Sequence, residues 1–81
     1  MKVKVLYFSS IKDRLKKNSE EFDIPENTYI KEFIDILKEK HPEISNLLEN
    51  TMIAVNEEYV HEDYLLKEGD VIAIIPPVSG G

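Results

Sequence analysis

The sequence contains no cysteine, no tryptophan and only three glycines among its 81 residues. The absence of cysteine excludes disulfide bonds, thiolate metal sites and a cysteine nucleophile. A phosphate-binding glycine loop is excluded as well, because two of the three glycines are the last two residues, Gly80 and Gly81. Any sulfur chemistry therefore requires sulfur taken from another molecule.

Long apolar runs and positive charge are also scarce. No apolar run approaches the roughly 20 residues that cross a bilayer, and the N-terminal segment is too short and too charged for a signal peptide. We therefore expect a cytoplasmic protein that binds no membrane. The 10 basic residues against 16 acidic ones leave a net charge of −6. Nucleic-acid binding depends on clustered lysine and arginine and is not expected, whereas a basic protein partner fits this charge.

Side chains that would form a conventional active site are few. The two histidines, His41 and His61, have no second histidine at a metal-ligand spacing, and the acidic residues Glu62 and Asp63 simply follow His61. Adjacent residues on irregular chain are usually solvated, so no metal site is predicted. The serines lack a nucleophile motif. We therefore expect that the chain catalyses nothing on its own.

Short apolar or alternating segments predict β-strands. They are residues 2–8, 20–24, 52–55, 59–60 and 71–75. In the first segment, Val3, Val5 and Tyr7 share one face, which is predicted to be buried, and Leu6 and Phe8 share the other. The first and last segments are the most apolar, so they are predicted to be central and adjacent in the sheet. The run over residues 52–55 is predicted to be a buried strand.

One segment has the period of an amphipathic helix, with apolar residues at i, i+3, i+4 and i+7: Ile30, Phe33, Ile34 and Leu37. Thr28 is predicted to cap this helix, and Pro42 is predicted to end it at His41. Two shorter helical turns are predicted over residues 10–17, with Ser10 as the N-cap, and over residues 43–48, as a flap on the core.

The order of these elements predicts an α+β fold of the ubiquitin-like, or β-grasp, type. It would have a mixed sheet of about five strands with one long helix across one face. The connection through the long helix is expected to be a right-handed crossover. The predicted domain covers residues 1–75, and residues 76–81 are predicted to form an extended, flexible tail.

The tail has the sequence Pro-Pro-Val-Ser-Gly-Gly. Pro76 and Pro77 lack amide protons, so they are predicted to end the last strand and begin a stiff arm. Gly80 and Gly81 have no Cβ and fit a channel too narrow for side chains. Fully extended, six residues reach roughly 20 Å, so the Gly81 carboxylate is predicted to enter a partner's active site. The alternative is a frayed chain end without function.

Residues 3–8, 54–56, 68–71 and 74–81 together resemble the MoaD/ThiS sulfur-carrier family, which includes the small subunit of molybdopterin synthase. The resemblance covers essentially the whole chain, and its most specific part is the terminal Pro-Pro-Val-Ser-Gly-Gly. Thiamine-type carriers of this family are typically shorter, without residues 43–50 and without the two prolines. The family often has an arginine after the first strand, where this chain has Lys12 and, further on, Arg14.

The resemblance implies a chemistry for the tail. An ATP-consuming adenylyltransferase related to ubiquitin-activating enzymes would adenylate Gly81, and a sulfur donor would convert the adenylate into a thiocarboxylate. The large subunit of molybdopterin synthase, in an assembly of two small and two large subunits, would use this sulfur on cyclic pyranopterin monophosphate to form the molybdopterin dithiolene. The chain itself would bind no cofactor, and catalysis would lie on the large subunit.

The same resemblance implies a docking surface beside the tail. Its predicted members are Phe8, Tyr59, Ile75, Pro76, Pro77, Val78 and Ser79. From the residues alone, the apolar face at Phe8 is either a docking patch or a small cluster under a loop. Three other functions remain open: a ubiquitin-like protein modifier, whose activated Gly81 is linked to lysines, a thiamine-type sulfur carrier that uses the same activated C-terminus, and an interaction domain with an inert tail.

Overall fold

The computed structural model describes residues 1–77. The chain forms, in order, β1 (Lys2–Tyr7), α1 (Ser9–Leu15), β2 (Ser19–Asp23), α2 (Ile30–Lys40), two 3-10 turns (Pro42–Ile44 and Leu47–Asn50), β3 (Met52–Val55), β4 (Glu58–Val60) and β5 (Val71–Ile75). No helix among these residues is long and apolar enough to cross a membrane.

The five strands form one sheet in the order β2-β1-β5-β3-β4. The first and last strands pair in parallel, with Val5 beside Ile72 and Tyr7 beside Ile74, and the other pairs are antiparallel. The prediction that the first and last strands are adjacent is therefore confirmed. The mixed sheet and the long helix confirm the β-grasp fold.

The core lies between the sheet and α2. The helix buries Ile30, Phe33 and Leu37, and the central strands bury Val5 and Ile72 completely on the face that shares this core. Such a core is the main source of stability for a small domain, because burial of each aliphatic side chain contributes roughly 1.5 to 3 kcal/mol. The predicted helical flap is confirmed as the two 3-10 turns, which bury Ile44 and Leu48.

The predicted N-caps of both helices are wrong. Helix α2 begins after Tyr29, whose amide donates to Oε1 of Glu32 at 2.9 Å, and the Thr28 hydroxyl instead donates to the Pro25 carbonyl at 2.7 Å. Threonine hydroxyls often hydrogen-bond to a backbone group a few residues away instead of capping a helix, and here that group is the Pro25 carbonyl. Helix α1 begins after Phe8, not after Ser10, because the Phe8 carbonyl accepts the first bonds of the helix, from the amides of Ile11 at 3.2 Å and Lys12 at 3.3 Å.

A polar cluster around Asp70 joins the β3–β4 turn to the start of β5. The Asp70 carboxylate is buried and accepts from the Asn56 amide at 2.9 Å, the Tyr64 hydroxyl at 3.1 Å and the Lys67 backbone amide at 2.9 Å. The Asn56 side-chain carbonyl accepts from the Val71 amide at 3.0 Å. Gly69 precedes Asp70 with a φ of 84°, in agreement with the predicted turn.

We expect Asp70→Ala to lower the free energy of unfolding by roughly 2 kcal/mol, because it leaves donors of the cluster without their acceptor. Urea denaturation measures this change. Asp63→Ala is the matched control, since Asp63 is exposed and a surface substitution of this kind changes stability by about 0.5 kcal/mol or less. Equal stability of the two variants would contradict a structural role for the cluster.

Candidate functional site

The sheet face opposite α2 is open, and it is largely apolar except at the start of β1, where Lys2 and Lys4 are exposed on this face. Side chains alternate between the two faces of a strand, so Ala73 and Ile75 point away from the core that Ile72 and Ile74 enter. Strand register places residues of the neighbouring strands beside them. We call this surface the outer face, and its apolar members are Leu6, Phe8, Met52, Ala54, Tyr59, Val71, Ala73 and Ile75.

A shallow pocket of about 590 Å³ lies on the outer face. Phe8, Tyr59 and Ile75, which the sequence analysis grouped into one patch, all line it. Phe8 is 42% exposed and Tyr59 is 66% exposed. Large apolar side chains in a contiguous exposed patch are typical of surfaces that another protein covers. The structure thus brings these three residues together beside the end of β5.

Met52, which the sequence pattern did not indicate as an outer-face residue, is 53% exposed and pairs with Ile75 across the β3–β5 ladder. The prediction that residues 52–55 form a buried strand is wrong for Met52. A continuous apolar run does not reveal that one of its faces is open. The partner strand gives no signal either, because residues 71–75 are also a continuous apolar run.

The last strand ends at Ile75, as the two prolines predicted. Pro76 is still buried and Pro77 is exposed, so Pro77 is the first exposed residue after β5. The remaining predicted tail residues, Val78 to Gly81, lie outside the described residues. The division into a domain over residues 1–75 and a tail over residues 76–81 therefore stays a prediction.

The basic residues Lys12 and Arg14 of α1 differ in their position relative to the outer face. Lys12 lines a small hollow beside Phe8. Arg14 donates from Nη1 to the Glu43 carbonyl at 3.3 Å, so its guanidinium contacts the 3-10 turn after α2. Of the two, only Lys12 adjoins the outer face.

A cluster around Glu20 fixes the end of β1 immediately before Phe8. The Tyr7 hydroxyl donates to Glu20 Oε1 at 2.7 Å, and His41 Nε2 lies 2.7 Å from the same oxygen. Lys40 Nζ lies 2.9 Å from the other carboxylate oxygen. Sequence spacing did not indicate this carboxylate partner for His41, because Glu20 is 21 residues away and approaches it only in the folded chain. Among residues 1–77, no group of three or more acidic, histidine or cysteine side chains is arranged to hold a metal ion.

The environment of this cluster shifts two pKa values. Burial opposes ionisation of Glu20, but hydrogen bonds from Lys40, Tyr7 and His41 outweigh it and lower the pKa of Glu20 from 4.5 to about 2. Burial, together with the hydrogen bond to the Glu20 carboxylate, raises the pKa of Tyr7 well above its ordinary value. Glu20 is therefore ionised and Tyr7 is neutral throughout the physiological range.

The fold is that of the ubiquitin-like β-grasp proteins. SAMP1 from Haloferax volcanii superimposes with a TM-score of 0.88 over 100% of both chains at 20% identity, a similarity that concerns the fold alone. The profile of the ThiS family matches residues 5–81. This chain belongs to the ThiS family, and the resemblance to MoaD/ThiS proteins is confirmed.

Relatives within the family are similar over almost their whole lengths. The molybdopterin synthase sulfur carrier subunit of Dictyostelium discoideum is 44% identical over 82 residues, which cover 96% of this chain and 94% of that protein. A complex of subunits 1 and 2 of the molybdopterin-converting factor from Helicobacter pylori contains a chain that matches with a TM-score of 0.74 and 33% identity, over 100% of both chains.

We expect Glu20→Gln to lower the free energy of unfolding by roughly 2 kcal/mol at pH 7, because a neutral amide replaces a carboxylate with charged partners. The folded-state pKa lies below the unfolded value, so ionised Glu20 stabilises the fold above pH 4.5, and this contribution is lost as the pH falls towards 2. The difference between the wild type and the variant should therefore shrink over this range. Urea denaturation at several pH values measures it, and a difference independent of pH would contradict the assignment.

Proposed function

We propose that this chain is the sulfur-carrier subunit of a molybdopterin synthase. The observation that carries the proposal is the exposed apolar outer face at the root of the segment that ends in Gly80 and Gly81. This arrangement suits a domain that docks through the outer face while its tail reaches a partner's active site. The match of the ThiS family through residue 81 and the name of the Dictyostelium relative support the same function.

The proposed chemistry begins at the α-carboxylate of Gly81. A terminal carboxylate has a pKa of about 3.5, so at neutral pH it is ionised and is a poor electrophile. Adenylation by an ATP-dependent adenylyltransferase forms an acyl-adenylate, from which AMP is a good leaving group. Hydrosulfide from a sulfur donor then attacks the acyl carbon, the bond to AMP breaks, the S–H proton is released, and Gly81 ends in a thiocarboxylate. Gly80 allows the loaded end to pass through a narrow channel.

The proposed acceptor of this sulfur is cyclic pyranopterin monophosphate, held by the large subunit of the synthase. The Helicobacter pylori complex of subunits 1 and 2 supports a second subunit as the docking partner. In the proposed assembly, two small and two large subunits combine, and the large subunit supplies catalysis. ATP is consumed by the activating enzyme and not bound by this chain, and we place the process in the cytoplasm, where ATP is available.

The outer face is the proposed docking surface for the second subunit. Interfaces concentrate their binding energy in a few large, centrally placed side chains, and Phe8, Tyr59 and Ile75 surround one pocket on this face. Pro76 and Pro77 would direct the following residues, Val78 and Ser79, from this pocket into the partner. Burial of the outer face and insertion of the tail would then occur in one docking event.

We expect Phe8→Ala and Ile75→Ala to weaken binding to the second subunit by about 1 to 3 kcal/mol, because each removes apolar contact area at the interface. Isothermal titration calorimetry with the second subunit from the same organism measures the change. Leu65→Ala is the matched control, since Leu65 is 38% exposed but lies outside the outer-face pocket. An unfolded variant would assign the residue to the core, and unchanged affinity would contradict the docking role.

We expect the protein isolated from its own cells to contain a form about 16 Da heavier than the sequence mass, because sulfur replaces one oxygen of the Gly81 carboxylate. Intact-mass spectrometry detects this form. A variant with one residue added after Gly81 is the control, and it should keep its thermal stability and lack the heavier form. Covalent attachment of the chain to other proteins, without the heavier form, would indicate a protein modifier instead.

A further inference from the structure

Glu57 is the one charged residue that lines the outer-face pocket in the described part of the chain. The other lining side chains are apolar, apart from Asn56, whose amide and carbonyl groups contact Asp70 and Val71. Glu57 is exposed, and its carboxylate forms no ion pair or hydrogen bond with any described residue. A free carboxylate therefore stands at the rim of a pocket whose other described lining side chains are uncharged.

The backbone at Glu57 has a conformation that glutamate rarely adopts. Asn56 and Glu57 join β3 to β4 in a two-residue turn, and both have positive φ values, 51° and 71°. Turns with two positive φ values favour asparagine followed by glycine. Asn56 fits this preference, but a glutamate at the second position is strained, since its Cβ crowds the neighbouring backbone. Strain of this kind often accompanies a residue kept for a function other than stability.

The charge of Glu57 specifies what a docking partner must present. A partner that covers the outer face removes water from its rim. A carboxylate that loses water without gaining a partner weakens association. Association is favourable when a cationic group lies opposite, because complementary charges at the rim of an apolar interface also orient the two proteins as they meet.

We propose that Glu57 pairs with a lysine or arginine of the second subunit and thereby selects and orients the partner on the outer face. The proposal rests on the proposed function, because it assumes that the second subunit covers this face. The apolar residues supply contact area to many surfaces, whereas Glu57 favours those with a cation at one position.

The test is the affinity of the full chain for the second subunit of the same organism, measured for substitutions at Glu57. We expect Glu57→Gln to weaken binding about threefold and Glu57→Lys about tenfold or more at low salt, because the second change places like charges together. Both effects should shrink at high salt. Glu57→Asp, which keeps the charge, should retain most of the affinity.

Substitutions at Glu39 are the matched controls. Glu39 is exposed on α2, which packs on the opposite face of the sheet, and Glu39→Gln and Glu39→Lys change the net charge of the chain by the same amounts. We expect these variants to bind within about twofold of the wild type, because their charge lies far from the interface. Comparison at equal net charge separates a local contact from general electrostatic attraction.

Glu57→Gly separates binding from stability. Glycine relieves the strain of the turn, so we expect the melting temperature to rise by roughly 4 °C. Binding should nevertheless weaken as much as in Glu57→Gln. A residue with only a structural role would not show stability and affinity changing in opposite directions.

The outcomes distinguish this inference from the proposed function. If Phe8→Ala and Ile75→Ala weaken binding while the Glu57 variants match the Glu39 controls, the pairing is wrong and the docking surface stands. Tighter binding of Glu57→Lys would also overturn it, since it would place an anion opposite. Failure of the wild type to bind the second subunit would overturn both the function and the pairing.

Discussion

Parallel pairing of β1 with β5 is the constraint on which the candidate site depends. Parallel strands cannot be joined by a tight turn, so nearly the whole chain lies between them, including α2 and the three other strands. The pairing places the end of β1, with Phe8, next to the end of β5, with Ile75 and Pro76. The docking residues and the root of the tail are therefore neighbours, although 67 positions separate Phe8 from Ile75.

Two polar clusters hold this central pair at its opposite ends. Near the tail, Glu20 binds Tyr7 and the C-terminal residues of α2, and at the other end Asp70 precedes β5 and binds the turn of the β3–β4 hairpin. Both carboxylates have hydrogen-bond donors, and the described residues contain no buried side-chain polar atom without a partner. Polar groups that are fully satisfied can fix a strand end without weakening the core. The outer face consequently keeps its shape while its own side chains stay free for a partner.

The proposed mechanism assigns the chemistry to enzymes that act on the chain and gives the chain two tasks, recognition and delivery. Recognition requires a rigid apolar surface, which the sheet supplies, with Glu57 as its charged rim. Delivery requires a narrow, extended end. The prolines favour extension because they restrict the backbone, and the glycines keep the end narrow because they have no side chain. Net negative charge adds attraction for a basic partner over a longer range.

The sequence by itself determined the order of the elements, the core stripe of α2 and the end of β5 at the prolines, because these features follow from local periodicity and backbone chemistry. It also carried the resemblance that the family match confirms. The tertiary structure alone decided the partners of polar groups: the Thr28 hydroxyl donates to the Pro25 carbonyl, and His41 is hydrogen-bonded to the Glu20 carboxylate. It also exposed Met52 and placed Glu57 on the outer face. These outcomes depend on which groups the folded chain brings within a few ångströms of one another, and a linear pattern contains no information about such distances.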